Sequence, residues 1–547
     1  MEQMKGYFAQ YFEKAEACIH ALYYHLAHLK MCVAQGGENQ LLDYFLASQG
    51  FNTRIQQNPL IIVYCESKKD VAIAYKIAIK HDIPVRVRAG GHDHEGESSG
   101  TNAVVIDVSK ISHIEIDEQT GIAKIGAGNR FIRLTSELAK KKVMIAHGTC
   151  ATVCITGFTL GGGWGPWTRK MGMNCESLKG ATLMLGDGTI VEVDEKEGHV
   201  PDLLWALRGG GGMSYGIVTE LRLQTFPLPK ELVKFELHWN DYDENQEFPR
   251  EKYPTLIILK AWEKMIKSDE TSKLIGTNLK INARPSVEAF DYEKVHHNCC
   301  MYGYWEGDIG ELFLFVYKYF PPEAVDLIID GVAGSEEQYL ENGSLMNTWD
   351  RVSFSKVKED LMKNGLLDKG TPLPPDLDEA APHKITSRLV NKEGLGDDGY
   401  EQLLRSLTSP LVFKENRALG LFAYVTLGAI IGDFYRRNPE TNSAFPYNDK
   451  LYTIQYQTWW NTEAKDRDHN GHFQKSRVYD YINNAMDWID AARHFHIPNT
   501  SGAFISFKDS SVPTRVYFDK SYERLKQIKI DHSRDPYNHL RSRKTIM

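Results

Sequence analysis

Two nucleophilic side chains of this chain lie beside clusters of glycine. Cys150 precedes the run Gly161–Gly165, and His92 lies within the segment Arg88–Gly96. A third glycine cluster, Arg208–Gly216, follows further along the chain. Because glycine has no Cβ, its backbone amides can approach a ligand closely, and several such amides form an anion-binding concavity. The three loops therefore favour a large cofactor that carries phosphate groups.

The composition is that of an ordinary soluble globular protein, since 42% of the 547 residues are hydrophobic and 25% are charged. This length predicts two or three domains. The net charge of −8 gives no electrostatic footprint for nucleic acid. Eight cysteines without regular spacing predict reduced thiols rather than a disulfide framework. With no secretory leader visible and no apolar run of the roughly 20 residues that span a bilayer, we expect a soluble, cytoplasmic protein that does not bind membranes.

Two other kinds of site fit the sequence less well. The segment Gly126–Phe131 begins like a dinucleotide-binding fingerprint, but it lacks the third glycine and an acidic residue in the right context. The segment His296–Cys300 offers atoms that bind metals, yet adjacent ligands rarely all reach one tetrahedral ion. We interpret it as a half-buried strand and predict no metal site.

Short helices and strands are expected to position the glycine loops. Hydrophobic spacing predicts an amphipathic helix over residues 6–33 and a helix over residues 68–81 that begins after Ser67. A strand at 84–89 would lead directly into the first glycine loop. Beyond residue 230 or so, alternating strands such as Tyr452–Trp459 indicate a second α+β region.

The motifs together resemble those of the berberine-bridge-enzyme-like flavoproteins, which have the vanillyl-alcohol-oxidase fold. The matching motifs are R-x-G-G-H-D-x-E-G at 88–96, G-T-C-A-T-V at 148–153 before G-G-G-W-G at 161–165, L-W-A-L-R-G-G-G-G-x-x-x-G at 204–216, and Y-F-x-x-x-Y-E-R-L with D-P-x-N in the tail at 517–538. The resemblance runs from about residue 41 to 227 and resumes in that tail.

This resemblance implies an α+β fold with four parts. Residues 1–40 would be a helical extension, and 41–228 a PCMH-type FAD-binding domain with two subdomains. Residues 229–475 would form an α+β substrate domain with a large antiparallel sheet. The C-terminal segment, 476–547, would return to complete the FAD site.

The resemblance also implies FAD held by two covalent bonds, an 8α link to His92 and a 6-S link to Cys150. Cys154 stands where the family often has glycine, and we regard it as the less favoured attachment point. The glycine loops would offer amides to the pyrophosphate, Gly216 and Ile217 would lie near the dinucleotide, and Asn538 near the isoalloxazine edge. The implied cofactor-binding residues are His92, Cys150, Arg88, Gly90, Gly91, Asp93, Gly96, Gly161, Gly162, Gly163, Gly165, Gly216, Ile217 and Asn538.

The catalytic base is less clearly marked. Where family members often carry tyrosines, this chain has Trp164 and Phe507, and neither ring takes up a proton in that role. The candidates that we consider instead are Gln455, Tyr456, Tyr435 and His94. An imidazole with an intrinsic pKa of roughly 6.5 suits general-base work.

The predicted function is oxidation of an alcohol, a sugar hemiacetal or a secondary metabolite by hydride transfer to flavin N5. The partners would be a small-molecule substrate and an electron acceptor such as molecular oxygen, with the protein a monomer or a homodimer. Because the family tyrosines are replaced, the alternative is a flavin-binding protein that has lost this turnover and has a binding or structural role.

Overall fold

The computed structural model describes residues 2–34, 38–196, 200–240, 252–269, 272–322, 325–334, 380–416, 419–460 and 475–547. The strands of the first region are β1 Met31–Val33, β2 Ile61–Tyr64, β3 Val85–Arg88, β4 Val104–Asp107, β5 Ile114–Asp117, β6 Ile122–Gly126, β7 Val143–Met144, β8 Leu178–Met184, β9 Ile190–Asp194, β10 Ile217–Gln224 and β11 Phe226–Pro227. Its helices are α1 Glu2–His25, α2 Glu38–Ser48, α3 Lys68–Lys80, α4 Phe131–Ala139, α5 Ile155–Leu160, α6 Thr168–Met171 and α7 Pro201–Leu207.

Two sheets organise this first region. One has the order β1-β2-β4-β3, with β2, β3 and β4 parallel to one another, and the other is antiparallel with the order β5-β6-β10-β8-β9. Parallel strands of one sheet need a crossover connection, and α3 supplies the one from β2 to β3, which lie on either side of β4. Ser67 caps α3 as predicted, because its hydroxyl accepts the backbone N–H of Asp70. The strand β3 then leads into the first glycine loop.

The second region is built on one large sheet. Its strands are β12 Leu232–Trp239, β13 Leu274–Asn282, β14 Arg284–Pro285, β15 Cys299–Trp305, β16 Asp326–Ala333, β17 His383–Val390, β18 Thr408–Ser409, β19 Leu421–Ala429, β20 Tyr452–Trp460 and β21 Thr500–Ser501. Its helices are α8 Thr255–Lys267, α9 Ile309–Tyr319, α10 Gly396–Leu407, α11 Asp433–Arg437 and α12 Lys475–His494. Eight of the strands form an antiparallel sheet in the order β16-β12-β15-β13-β19-β20-β17-β21.

The two faces of this sheet have different surroundings. Apolar side chains on one face pack against α8, α9, α10 and α12, where Trp262 and Trp488 are fully buried. Successive side chains of a strand point to opposite faces, so the same strands present a second, more polar set to the first region. That set includes Asn278, Gln455 and Gln457. The polar face is what the sheet contributes to the site.

The C-terminal segment packs back onto the first region, as predicted. Its helices are α13 Thr514–Phe518 and α14 Tyr522–His532. Phe518 and Leu525 lie in one buried cluster with α7 and the five-stranded sheet. The Arg524 guanidinium lies 3.9 Å from the centre of the Trp205 ring. The exact domain boundaries remain a prediction.

The N-terminal prediction was wrong in one respect. Helix α1 ends at His25, and Met31–Val33 form a strand that pairs with β2. The reason is tertiary, because pairing with Ile61–Val63 overrides the helical spacing of this segment. Within the described residues, no helix combines the length and the apolar character that crossing a bilayer requires.

Candidate active site

A partly open cavity lies where the first region meets the polar face of the eight-stranded sheet. Its volume is about 380 Å³, within the usual range for ligand sites. The glycine loops supply His92, Cys150 and Gly212, and the sheet supplies Gln455 and Trp459. A more open cleft of about 750 Å³ lies elsewhere on the surface and includes Arg54 and Arg543, but neither His92 nor Cys150 faces it. The two nucleophiles predicted from the sequence, His92 and Cys150, therefore both lie on the wall of the smaller cavity.

His92 is held in a fixed orientation on the cavity wall. Its ring stacks on Phe51 with the centroids 4.0 Å apart, and its Nε2 atom lies 2.9 Å from the Thr152 hydroxyl. Burial, together with the nearby His94 and Arg130, lowers the pKa of His92 to about 3. The imidazole is therefore neutral at pH 7. Because Thr152 engages Nε2, Nδ1 is the ring nitrogen left for another partner.

The two neighbouring cysteines have different environments. Cys150 is half-buried on the cavity wall, in the loop before α5. Cys154 is buried at the start of α5, and its thiol lies 3.4 Å from the carbonyl oxygen of Gly128. Burial raises the pKa of Cys154 to about 12, so this thiol is protonated at neutral pH. All eight cysteines lie in the described part of the chain, and no disulfide forms there.

Asp93 fixes the loop that carries His92. Its carboxylate accepts the backbone N–H groups of Glu95 and Glu97 at 3.0 and 3.1 Å, and the Lys508 ammonium donates to it at 2.5 Å. Burial by itself would raise the pKa of Asp93, but the ammonium and the amide donors hold it below its usual value. The Lys508 contact ties the loop to the segment that follows β21.

His94 faces the cavity and is paired with a second histidine. Its Nδ1 atom lies 2.8 Å from Nε2 of His383, and Nδ1 of His383 lies 2.8 Å from the Ala381 carbonyl oxygen. The His383 ring stacks on Trp459 with the centroids 3.9 Å apart. These contacts join the first glycine loop to the start of β17.

Two of the four predicted candidates for the base do not face the cavity. Tyr456 points to the opposite face of β20, where its hydroxyl lies 2.7 Å from the Ser406 hydroxyl. Tyr435 is buried outside the cavity; its hydroxyl accepts the Met173 amide N–H and donates to Glu176. The alternation of a strand explains the first correction, because Gln455 and Tyr456 cannot share a face. Gln455 and His94 remain on the cavity wall.

The predicted glycines separate into two groups. Gly90, Gly91 and Gly161 line the cavity, whereas Gly96, Gly162, Gly163, Gly165 and Gly216 do not. A Cβ on Gly165 would lie 2.1 Å from the His147 carbonyl oxygen, and one on Gly216 would lie 2.5 Å from that of Met184. Gly165 and Gly216 thus allow close packing against the backbone, whereas a Cβ on Gly96, Gly162 or Gly163 would meet neighbouring side chains.

Three other predicted contact residues lie outside the cavity lining and make contacts within the protein. The Arg88 guanidinium forms an ion pair with the Asp107 carboxylate at 2.6 Å, and Arg88 does not line the cavity. Ile217 is buried in β10. The Asn538 side-chain oxygen accepts the Lys529 ammonium at 2.6 Å, and Asn538 does not line the cavity.

Several cavity residues were not predicted from the sequence. They are Asn278, Thr426, Gln457 and Trp459 of the sheet. Thr152 and His383, which hydrogen-bond to His92 and His94 from behind the wall, were not predicted either. The alternation of β20 could have identified Gln457 and Trp459 together with Gln455. His383 and Asn278 carry no local signal, because their neighbours in space are far away in sequence.

The cavity has open space beside its glycines, as an extended cofactor would require. A Cβ on Gly212 or Gly157 would meet no protein atom within 4 Å. Gly91 adopts φ = 77°, a conformation that L side chains rarely take. With a neutral imidazole and a half-buried thiol on the same wall, the residues present fit FAD.

The comparisons with known proteins agree with this site. A profile of an FAD binding domain matches residues 59–194. The uncharacterized FAD-linked oxidoreductase YgaK of Bacillus subtilis (strain 168) is 34% identical over 37% of this chain, and the match spans about half of YgaK (46%). Berberine bridge enzyme-like 2 of Arabidopsis thaliana is 24% identical over 92% of this chain and 87% of its own length.

Three solved structures have the same fold. Physcomitrella patens BBE-like 1 is 20% identical with a TM-score of 0.68, covering 96% of this chain and 99% of its own. The carbohydrate oxidase of Microdochium nivale is 20% identical with a TM-score of 0.70, covering 97% and 99%. Glucooligosaccharide oxidase from Acremonium strictum, described with 6-S-cysteinyl, 8α-N1-histidyl FAD, is 18% identical with a TM-score of 0.69 and the same coverage. On these grounds the chain has a PCMH-type fold, contains an FAD binding domain over residues 59–194, and resembles the berberine-bridge-enzyme-like FAD-linked oxidoreductases.

Proposed function

We propose that this protein binds FAD through covalent bonds to His92 and Cys150 and oxidises an alcohol, a sugar hemiacetal or a related secondary metabolite. The observation that carries the proposal is the placement of both nucleophiles on the wall of one cavity. In this proposal Nδ1 of His92 forms the bond, since Thr152 engages Nε2. Cys154 also lines the cavity, but it is the less favoured attachment point, because its thiol is more buried than that of Cys150 and burial raises its pKa.

FAD, when bound, would accept a hydride at N5 and so supply the redox chemistry. The protein's residues would orient the substrate. Asn278 is buried and lines the cavity, and its side-chain oxygen has no hydrogen-bond partner within the described part of the chain. Such an acceptor is costly to leave unpaired, so it favours a substrate that brings a hydroxyl or an N–H group.

Neighbouring polar and aromatic groups support a hydroxylated ring substrate. The Gln457 side chain donates to Thr426 at 2.9 Å and accepts from the Trp459 indole at 2.9 Å, which fixes the Trp459 ring. Gln455 lies two residues away on the same face. An amide beside a fixed aromatic ring suits a sugar-like molecule, which needs both hydrogen bonds and a flat contact. The electron acceptor and the oligomeric state stay predictions.

Acid precipitation tests the covalent attachment. We expect yellow colour to stay with the precipitated wild-type protein, and with the His92→Ala and Cys150→Ala variants, because each variant keeps one bond. The double variant should release its flavin into the supernatant. Cys154→Ala is the matched control and should behave like the wild type.

Bleaching of the flavin then tests turnover. Sugars and alcohols, added to the wild type without oxygen, should reduce the flavin and remove its visible absorbance. A folded protein that contains no flavin would contradict the cofactor assignment. A yellow protein that no compound in the panel bleaches would instead favour the binding role, which the replacement of the family tyrosines by Trp164 and Phe507 suggests.

A further inference from the structure

The hydrogen bonds of His383 determine which ring nitrogen of His94 carries the proton and which keeps its lone pair. The chain begins at the Ala381 carbonyl oxygen, which only accepts hydrogen bonds and lies 2.8 Å from Nδ1 of His383. Nδ1 of His383 must therefore carry the proton of that ring. A neutral imidazole has one N–H, so Nε2 of His383 is an acceptor.

The same logic fixes the second ring. Nδ1 of His94 lies 2.8 Å from the accepting Nε2 of His383, so it must be the donor. Nε2 of His94 is then left without a proton and with a free lone pair. His94 lines the cavity wall, next to His92 on the same loop.

Both rings are held in place by the surrounding chain. The Asn52 amide donates to the backbone oxygens of His94 and His383 at 2.6 and 3.1 Å, and its own oxygen accepts the His383 backbone N–H at 3.2 Å. Trp459 stacks on the His383 ring. The relative position of the two imidazole rings is therefore fixed by residues that are far apart in the sequence, Asn52 and Trp459, and does not depend on a single loop.

The charges around the pair agree with two neutral rings at pH 7. Burial lowers the pKa of His94 to about 4; the Asp93 carboxylate opposes this and Lys508 adds to it. Burial also places the pKa of His383 well below its usual value, with smaller effects in the same direction from His94 and Arg54. Asp93 is the neighbouring group that would stabilise a protonated His94.

We propose that Nε2 of His94 is the proton acceptor of the reaction and that His383 is a positioning residue that holds His94 in this tautomer. The inference rests on the proposed function. The O–H bond of the substrate breaks and its proton goes to Nε2. With FAD bound, the hydrogen of the C–H bond would leave with its electron pair as a hydride accepted by the flavin, and a C=O double bond would form. His94 thus takes the part for which Trp164 and Phe507 are unsuited.

Nitrogen NMR tests the tautomer without any turnover. In the flavin-loaded protein labelled with ¹⁵N-histidine, the His94 signals are identified by their loss in His94→Gln. We expect a protonated Nδ1 and a bare Nε2 for His94, and a protonated Nδ1 for His383. A protonated Nε2 on His94 would overturn the inference.

The rate of anaerobic flavin bleaching tests the role. His94→Gln should slow the reduction of the flavin by about 10²–10⁴-fold, the range for general-base catalysis. Binding of an unreactive substrate analogue should change less than about threefold, since only a proton acceptor is lost. His113→Gln, at a half-exposed histidine outside the cavity, is the matched control and should keep the wild-type rate.

The variants of His383 separate positioning from simple packing. His383→Gln can still accept the Nδ1 proton of His94, so it should keep the tautomer and lose less than about tenfold in rate. His383→Leu should lose both the tautomer and the rate. An unchanged rate in His94→Gln would refute the proton-acceptor role. A wild type that no substrate bleaches would instead contradict the proposed function, and the NMR result would then decide the tautomer alone.

Discussion

The Gly212→Val variant should fold normally and lose most of its flavin. Gly212 lines the cavity, and a Cβ at this position meets no protein atom within 4 Å. The added side chain therefore begins in open space, and it occupies space that the proposed cofactor needs. We expect the flavin content per chain to fall about tenfold or more, because the cofactor no longer fits beside this residue while it is being attached. Absorbance of the purified protein measures this content.

A second glycine provides the control for this prediction. A Cβ on Gly216 would lie 2.5 Å from the Met184 carbonyl oxygen, which belongs to the backbone and cannot move away easily. Gly216→Ala should therefore lower thermal stability by about 1–3 kcal/mol with or without flavin, as overpacking does. Gly212→Val should leave the melting temperature of the flavin-free protein unchanged. Normal flavin content in Gly212→Val would mean that no cofactor lies beside Gly212.

Local sequence signals predicted the elements that bring the glycine loops together. The strand predicted at Tyr452–Trp459 is Tyr452–Trp460, and the helix predicted at 68–81 is Lys68–Lys80. Both follow from periodicity and from the Ser67 cap, which act within a few residues. The segment 6–33 failed because its last part pairs with β2, and such a distant partner leaves no periodic mark.

Some site residues could be predicted from the sequence and others could not, because local motifs are visible in the sequence whereas contacts between distant segments are not. The motif histidine and cysteine, His92 and Cys150, both face the cavity. Tyr456 was a poor candidate because alternation divides a strand into two faces, and only packing against the helices decides which face is buried. His383 could not be predicted at all, since its partner His94 is 289 residues away in the sequence.

The cavity lies between the two regions, so it requires that they stay packed against each other. Arg169 stabilises this packing through hydrogen bonds from the first region to the second. It lies in α6 of the first region, and its side chain is almost fully buried. Burial, with some contribution from the nearby Arg436, lowers its pKa to about 9. A charge in such a position is retained when it satisfies groups that would otherwise be unpaired.

Replacing Arg169 with methionine should destabilise the contact between the two regions by at least about 3 kcal/mol, because two buried carbonyl groups and one partly buried carbonyl group would each lose a charged donor. Arg169 donates to the carbonyl oxygens of Leu274, Ile266 and Ile431 at 3.0, 3.1 and 2.6 Å. Arg436 also donates to Ile266, but it is partly exposed, so water can replace it in Arg436→Met and the loss should be smaller. Denaturant unfolding of both variants measures the difference. Equal losses would contradict the argument, since they would mean that burial of Arg169 adds nothing to the contact.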